Sequence, residues 1–155
     1  MSIEGRGPAP NPDDPGLLSP PEASLLIDHY ELTMSASYLK QGLNQPAIFE
    51  LFARRLPPNR HWLLVAGLGP TLELIRGLRF GERELDYLRS LELFADDFLD
   101  YLAAFRFSGD LEAVPEGTVC FANEPLIRVT APRIDAQLLE TVLLNQINFQ
   151  TMVAT

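Results

Sequence analysis

The sequence predicts an α+β fold built of helices and a small antiparallel β-meander. Three observations lead to this prediction. Several segments place apolar residues at the spacing of amphipathic helices. A run near residue 50 alternates in the manner of a strand. The stretch 107–132 contains short β-prone runs divided by the turn sequences SGD, PEGT and NEP, which is the pattern of a meander.

The first helix is predicted over residues 28–41. Asp28 is a residue type that caps helices through its side chain, and Glu31 follows three positions later, as in a capping box. Tyr30 begins a series of aromatic and Met side chains at helical spacing. Gly42 is placed to end the helix, because glycine adopts the left-handed conformation that closes a last turn.

The next elements follow in order from similar signals. Phe49, Leu51 and Ala53 alternate with their neighbours and predict a strand, which the sequence PPN ends. HWLLVAGLG predicts a second strand running into a turn, and PTLELIRGL predicts a short helix with Pro70 in its first turn. GERELDYLRSL and ADDFLDYLAAF predict two amphipathic helices, with acidic residues early, where the helix dipole favours them.

The last predicted element is one long helix that begins at about Arg133. From Thr141 to Thr155 it carries no charged residue, and neutral polar side chains share one arc of the helical wheel. Such a stripe suggests burial against hydrogen-bond partners, which we expect in a larger domain or across an interface. The helix also shows no stop signal before the chain ends. We therefore expect the chain to be part of a longer protein.

Composition and the N-terminal segment exclude several classes of protein. Residues 1–21 hold six of the 13 prolines and predict a flexible leader outside the fold. The formal net charge of −9 argues against nucleic acid as a partner, since phosphate binding needs a basic surface. Cys120 is the one cysteine, so no internal disulfide forms. No apolar run has the length of a membrane span and no signal peptide is evident, which predicts a cytoplasmic protein without a membrane partner.

Few residues stand out as candidates for chemistry, and the sequence has no common catalytic or nucleotide-binding motif. Arg54 and Arg55, with Arg60 and His61 close behind, form the densest positive cluster. This cluster is either an anion site, since guanidinium matches phosphate and carboxylate, or solvated charge at a strand end. Tyr30 is likewise either a core aromatic or a displayed one.

Four motifs together resemble the nicotinate phosphoribosyltransferase family. LLIDHYELTM is similar to the family's opening D-x-Y motif, and FELFARRLPPNR resembles its strand and arginine turn. The stretch from LRFGERELDYL to EPLIRV follows the family's order, including the PEGT turn, and AQLLETVLLNQINFQTMVAT is similar to the helix before the family's barrel. The resemblance covers residues 24–155 almost without gaps. It is carried by the order and spacing of the four motifs rather than by any one of them.

The resemblance implies a fold and a reaction for the whole protein. It implies the N-terminal α/β portion of a type II phosphoribosyltransferase, with residues 22–132 as an α+β domain and 133–155 as the start of the helix that leads into an absent barrel. The implied reaction joins nicotinate to 5-phosphoribosyl 1-diphosphate, with ATP hydrolysis and Mg²⁺, in NAD salvage. The phospho-accepting histidine and the metal ligands are expected beyond residue 155. This segment is thus expected to bind no cofactor, and the chain alone to be inactive.

The resemblance also implies roles for individual residues. Tyr30 matches the tyrosine that stacks on the pyridine ring of the substrate across the interface of a homodimer with shared active sites. Asp28 matches a carboxylate near that site. Arg54 and Arg55 match positions associated with phosphate binding, and which of the two binds phosphate is open. The alternatives are a nicotinamide or quinolinate phosphoribosyltransferase, or a binding or dimerisation module without catalysis.

Overall fold

The structure is a computed structural model that describes residues 24–155. The predicted leader, 1–21, lies outside the described residues. Six helices and five strands follow one another in the order α1 His29–Lys40, β1 Pro46–Phe52, β2 Leu63–Leu64, α2 Leu68–Gly77, α3 Glu82–Ser90, α4 Asp96–Ala104, β3 Asp110–Ala113, β4 Val119–Cys120, β5 Pro125–Pro132, α5 Arg133–Gln137 and α6 Glu140–Ala154. The predicted α+β class, with helices beside small antiparallel sheets, is confirmed.

The strands form two antiparallel sheets rather than one meander. β5 lies between β1 and β3 in the larger sheet, and β4 pairs with β2 in a separate two-stranded sheet. The connectivity predicted for 107–132 is therefore wrong. The PEGT turn explains the difference: Gly117 N donates to Val65 O (2.8 Å), and Val65 N donates to Thr118 O (3.0 Å). These bonds hold the PEGT turn against the end of β2. β4 therefore pairs with β2 and not with β3 or β5.

The larger sheet buries one face and exposes the other. Along β1 the side chains alternate between exposed and half-buried, as the sequence pattern predicts. On the exposed face Arg128 stands between residues of both neighbouring strands. It lies 2.7 Å from the Glu50 carboxylate and 3.8 Å from that of Glu112. This ladder of alternating charge leaves the opposite face free to pack on α5 and α6.

Helix α1 starts and ends close to the predicted positions, but the predicted side-chain cap is absent. Asp28 occupies the N-cap position with an extended backbone and makes no side-chain capping bond. Glu31 turns inward to Thr141 and so cannot complete the capping box. At the other end Gly42 has a φ of 65°, and its N–H donates to Leu39 O. Burial of the Glu31 carboxylate thus replaces a local helix cap with a long-range contact.

The single long helix predicted from Arg133 is wrong, because the chain forms α5, a tight turn and then α6. At the turn Leu139 N donates to Ala136 O at 3.3 Å, a three-residue spacing that tightens the helix. Leu138 and Leu139 are both 0% exposed. The tightened turn places both side chains in the core.

The neutral polar stripe of α6 finds its partners within the chain. Thr151 is buried, and its hydroxyl oxygen accepts from Ala66 N (3.2 Å). Thr155 accepts from Leu64 N at 3.0 Å, and Thr141 accepts from Asp28 N at 3.2 Å. The expectation that such partners lie in a larger domain or across an interface is therefore wrong for these three threonines. Within residues 24–155, no helix is long and apolar enough to cross a membrane.

Candidate functional site

Tyr30 projects from the first turn of α1 and is 46% exposed. Its hydroxyl donates to Glu140 Oε1 at 2.7 Å. That hydrogen bond, followed by partial burial and by the charges of Glu140, Glu31 and Asp28, raises the pKa of the phenol well above its usual value. The phenol is therefore neutral. Its hydroxyl is fixed by Glu140, while the side chain is exposed to solvent. The core interpretation of Tyr30 does not fit this geometry.

Asp28 stands beside Tyr30 at the start of the same helix. Its side chain is exposed, and its backbone N–H donates to Thr141 Oγ1. The Thr141 hydroxyl in turn donates to Glu31 Oε1 at 2.6 Å. The start of α1 is thus fixed to the start of α6 by contacts from three of its residues, which also include the Tyr30 bond to Glu140.

Glu31 is a candidate that sequence reasoning assigned to capping alone. Its side chain is fully buried, and Oε2 has no hydrogen-bond partner, nor does the buried hydroxyl of Ser35 one turn later. Burial, together with the charges of Glu140 and Asp28, raises the pKa of Glu31 to about 7 against the lowering effect of the Thr141 bond. The neutral and ionised forms of this carboxyl group are therefore both populated near neutral pH.

Glu140 and Gln137 were not predicted from the sequence as residues of the candidate site. Glu140 Oε2 accepts from Gln137 Nε2 at 2.7 Å, so both oxygens of this carboxylate are engaged. Gln137 is 2% exposed. The available signal was positional, since Gln137 lies on the same arc as the polar stripe and Glu140 is the last charged residue before the uncharged run 141–155. The sequence pattern could not show that this charge faces Tyr30, 110 residues earlier.

Two concave regions lie where β1 meets α6, and they separate the two candidate arginines. The first, which we call the Arg54 groove, has a volume of about 320 Å³ and is lined by Arg54 and Glu140 with apolar side chains that include Leu143. The second, the Arg55 cavity, is about 190 Å³ and is lined by Arg55 with Leu56 and other apolar groups. Leu144 lines both. The structure thus brings Arg54, and not Arg55, into the groove that contains the anchor of Tyr30.

The other members of the predicted positive cluster have different surroundings. Arg60 donates through its guanidinium to Met152 O near the end of α6 (3.1 Å), where a cation complements the carbonyl end of a helix. His61, the last member of the cluster, is exposed. His29 lies outside the cluster, and its ring is 6.3 Å from that of Phe94. The four positive residues therefore do not form one anion site. Arg54 and Arg55 stay candidates, each with its own cavity.

A second polar cluster, away from the groove, fastens helices together. Asp135 is buried and accepts from Tyr101 OH at 3.0 Å and from both N and Oγ of Ser108 at 2.9 Å. Burial, with the charge and the hydrogen bond of Asp135, raises the pKa of Tyr101 to about 12. Every one of these polar groups is paired, so the cluster joins α4 and the following loop to α5 and offers no free group for chemistry.

The described residues do not fit a magnesium site. Within 24–155 there is no group of three or more His, Cys, Asp or Glu side chains placed to hold a metal ion. Magnesium is held by carboxylate and other oxygen ligands. The Mg²⁺ and ATP implied by the resemblance stay predictions for the whole protein.

The family match covers most of the residues that the structure describes. The family model described as the nicotinate phosphoribosyltransferase N-terminal domain matches residues 25–148. Nicotinate phosphoribosyltransferase pncB2 of Mycobacterium tuberculosis is 47% identical over 132 residues, which are 85% of this chain and 28% of the relative. The chain thus spans less than a third of the length of this curated relative.

Two solved structures share the fold. The crystal structure of human nicotinic acid phosphoribosyltransferase matches with a TM-score of 0.77 and 34% identity, over 84% of this chain and 27% of the human chain. The crystal structure of nicotinate-nucleotide pyrophosphorylase from Pyrococcus furiosus matches with a TM-score of 0.60 and 18% identity, over 92% and 28% of the two chains. The second likeness shows the fold alone.

The fold, shared with the human enzyme, defines the class of protein as the N-terminal α+β domain of a phosphoribosyltransferase. The family match covers most of the chain, and it agrees with the order of motifs read from the sequence. The chain belongs to the nicotinate phosphoribosyltransferase N-terminal domain family.

Proposed function

We propose that this chain supplies the N-terminal part of a nicotinate phosphoribosyltransferase, which forms nicotinate mononucleotide and diphosphate from nicotinate and 5-phosphoribosyl 1-diphosphate. The observation that carries the proposal is the 47% identity to the mycobacterial enzyme across 85% of the chain. The exposed Tyr30 ring supports it, since the Tyr30 hydroxyl donates to Glu140, which lines the groove that contains Arg54. We place the protein in the cytoplasm and in NAD biosynthesis.

In the proposed reaction the pyridine nitrogen forms a bond to the anomeric carbon of the ribose. The bond from that carbon to the diphosphate oxygen breaks, its electron pair leaves on diphosphate, and the pyridine becomes a pyridinium. Such a step depends on positioning and on the stabilisation of charge. The Tyr30 ring offers a flat platform, and aromatic stacking contributes about 0.5–1.5 kcal/mol beyond the buried area. Asp28, which is exposed two residues before Tyr30, is proposed to contribute a carboxylate to the same site.

Arg54 is our choice for the phosphate-binding arginine. It lines the groove that Glu140 shares, and Glu140 holds the Tyr30 hydroxyl. Its guanidinium presents a planar set of donors that matches phosphate oxygens. Arg55 lines the other cavity, to which Glu140 does not contribute. Arg55 therefore serves as the matched control for Arg54.

The remaining parts of the proposal concern the whole protein. We propose a homodimer with shared active sites, in which Tyr30 contributes to the partner's site, and this is supported by the exposed ring. Phe149 and Val153, four residues apart on one face of α6, are exposed apolar side chains that suit an interface. ATP hydrolysis and Mg²⁺ are proposed to act through residues outside the described segment.

A chimeric enzyme tests the proposal. Residues 24–155 would replace the matching segment of the mycobacterial relative, and formation of nicotinate mononucleotide would be measured with and without ATP. We expect turnover that falls when ATP is omitted and that prefers nicotinate to nicotinamide or quinolinate. The isolated chain is expected to show none. Arg54→Ala should raise KM for 5-phosphoribosyl 1-diphosphate more than Arg55→Ala does.

A folded chimera without turnover would contradict the proposed function. Preference for nicotinamide or quinolinate would instead favour one of the sister activities. Equal effects of the two arginine variants would contradict the choice of Arg54 alone.

A further inference from the structure

The phenol of Tyr30 has a dedicated anchor in Glu140. Oε1 of Glu140 accepts from Tyr30 at 2.7 Å, and Oε2 accepts from Gln137 at 2.7 Å. Because each oxygen has its own donor, the carboxylate cannot rotate without losing a charge-assisted hydrogen bond. Gln137 is itself buried, so the donor behind Glu140 is also fixed.

The anchor belongs to a rigid part of the fold. Glu140 is the first residue of α6 and directly follows Leu138 and Leu139, which are both 0% exposed. The next residue, Thr141, holds Glu31 and the backbone of Asp28. Two consecutive residues of α6 therefore hold three residues at the start of α1. Without this hydrogen bond, a half-exposed tyrosine at a helix end would sample several rotamers. Stacking would then carry the entropic cost of fixing one of them.

We propose that Glu140, backed by Gln137, is the positioning residue for Tyr30. It fixes the plane of the ring and, as a charged acceptor, increases the electron density of the phenol. This inference rests on the proposed function, in which Tyr30 stacks on the pyridine ring. That ring becomes cationic as its nitrogen bonds to ribose, and cations are attracted to the face of an electron-rich ring. The contribution of Glu140 is thus larger after bond formation than before it.

The test is a double-mutant cycle in the chimeric enzyme described above. Glu140→Gln keeps the shape and removes the charge, and Tyr30→Phe keeps the ring and removes the donor. Each should lower kcat/KM for nicotinate about tenfold, as expected for one charge-assisted hydrogen bond. KM for 5-phosphoribosyl 1-diphosphate should not change in Tyr30→Phe, because Tyr30 does not line the Arg54 groove. The double variant should lose no more than either single variant, because both changes remove the same contact.

A second measurement does not depend on catalysis. Tyrosine labelled with ¹³C in the ring reports the ionisation of each phenol of the chain by NMR, and Tyr30→Phe identifies the Tyr30 signal. Glu140→Gln should lower the pKa of Tyr30 toward its ordinary value, since an anionic acceptor is removed. Glu82→Gln, an exposed change on α3, should leave it in place.

The outcomes separate the inference from the function on which it rests. An inactive parent chimera contradicts the proposed function, and an unchanged pKa of Tyr30 in Glu140→Gln overturns the anchor itself. If the parent is active, additive losses in the double variant, or a Glu140→Gln enzyme equal to the parent, overturn the positioning role. Should Glu140→Gln fail to fold, Tyr30→Phe still decides: full activity with nicotinate would contradict the proposal.

Discussion

The carboxyl group of Glu31 lies under α1 with one oxygen bonded to Thr141 and the other without a partner. Burial of a carboxyl group favours its neutral form, and the nearby charges of Glu140 and Asp28 act in the same direction. The pKa in the folded protein, about 7, is therefore above the ordinary 4.5. The folded state binds more protons than the unfolded state between these two values.

This difference predicts a loss of stability with rising pH. The contribution of Glu31 is fully present below pH 4.5 and is lost as the pH rises through about 7. The upper bound is roughly 3 kcal/mol, since each pKa unit corresponds to about 1.4 kcal/mol. Urea unfolding of Glu31→Gln, which stays neutral, should therefore show a stability advantage over the parent that grows from pH 4.5 to pH 8. Glu82→Gln is the control, and a difference that does not change with pH would rule the prediction out.

At the scale of residues the sequence identified Tyr30, Asp28, Arg54 and Arg55 but not the groups that hold them. Glu31 three positions after Asp28 satisfies the capping pattern, and nothing local distinguishes a cap from a buried carboxyl. Its partner Thr141 is 110 residues away. The binding roles of Tyr30, Asp28, Arg54 and Arg55 remain predictions.

At the scale of elements, the end of α1 shows how local chemistry sets a boundary. Gly42 adopts a φ of 65°, and Leu43 N donates to Tyr38 O (2.8 Å) while Gly42 N donates to Leu39 O (3.1 Å). This is the Schellman arrangement, which pairs the last carbonyls of the helix. Only glycine adopts that φ without a steric cost.

Two glycine substitutions should have opposite effects. Gly42→Ala forces a Cβ into the left-handed region and should destabilise the chain by about 1 kcal/mol, since space is open but the backbone is strained. Gly69→Ala lies in the first turn of α2 with open space and no left-handed φ, and should stabilise by about 0.4–1 kcal/mol. Urea unfolding measures both. Changes of the same sign would contradict this account of the helix end.

Helices with local signals were predicted well, whereas breaks and pairings were not. The ends of α1, α3 and α4 follow from spacing, acidic first turns and the glycine stop. The turn between α5 and α6 contains no Gly or Pro to mark it in the sequence, and it places Leu138 and Leu139 in the core. The departure of β4 from the predicted meander depends on contacts with Val65, which is more than 50 residues earlier. Such causes are tertiary and leave no local pattern.

At the scale of the whole molecule, one apolar core joins elements from both ends of the described chain. Its buried side chains include Leu32 of α1, Phe98 of α4, Val129 of β5 and Ile147 of α6, with Leu139 at the α5–α6 turn. Full burial of a side chain of this size contributes about 1.5–3 kcal/mol. Residues after Arg133 are therefore as much a part of the fold as those before it.

Leu139→Ala tests this dependence. The side chain is 0% exposed, so its loss should leave a cavity and destabilise the chain by about 2–5 kcal/mol. Leu93→Ala removes the same atoms from a residue that is 61% exposed and should change stability by less than about 0.5 kcal/mol. Denaturant midpoints of the two variants provide the comparison. Equal shifts would mean that the turn between α5 and α6 does not contribute to the core.

The hydrogen bonds between the starts of α1 and α6 join residues that the ribosome synthesises far apart in time. Asp28 and Thr141 are separated by 113 residues, and Tyr30 and Glu140 by 110. At about 5–20 residues per second, a ribosome makes α1 roughly 5–20 s before its partner emerges. Throughout that interval Glu31 is hydrated and ionised, and it must take up a proton or lose its water when the helices meet. The contacts between the starts of α1 and α6 therefore form only after Glu140 and Thr141 have been synthesised.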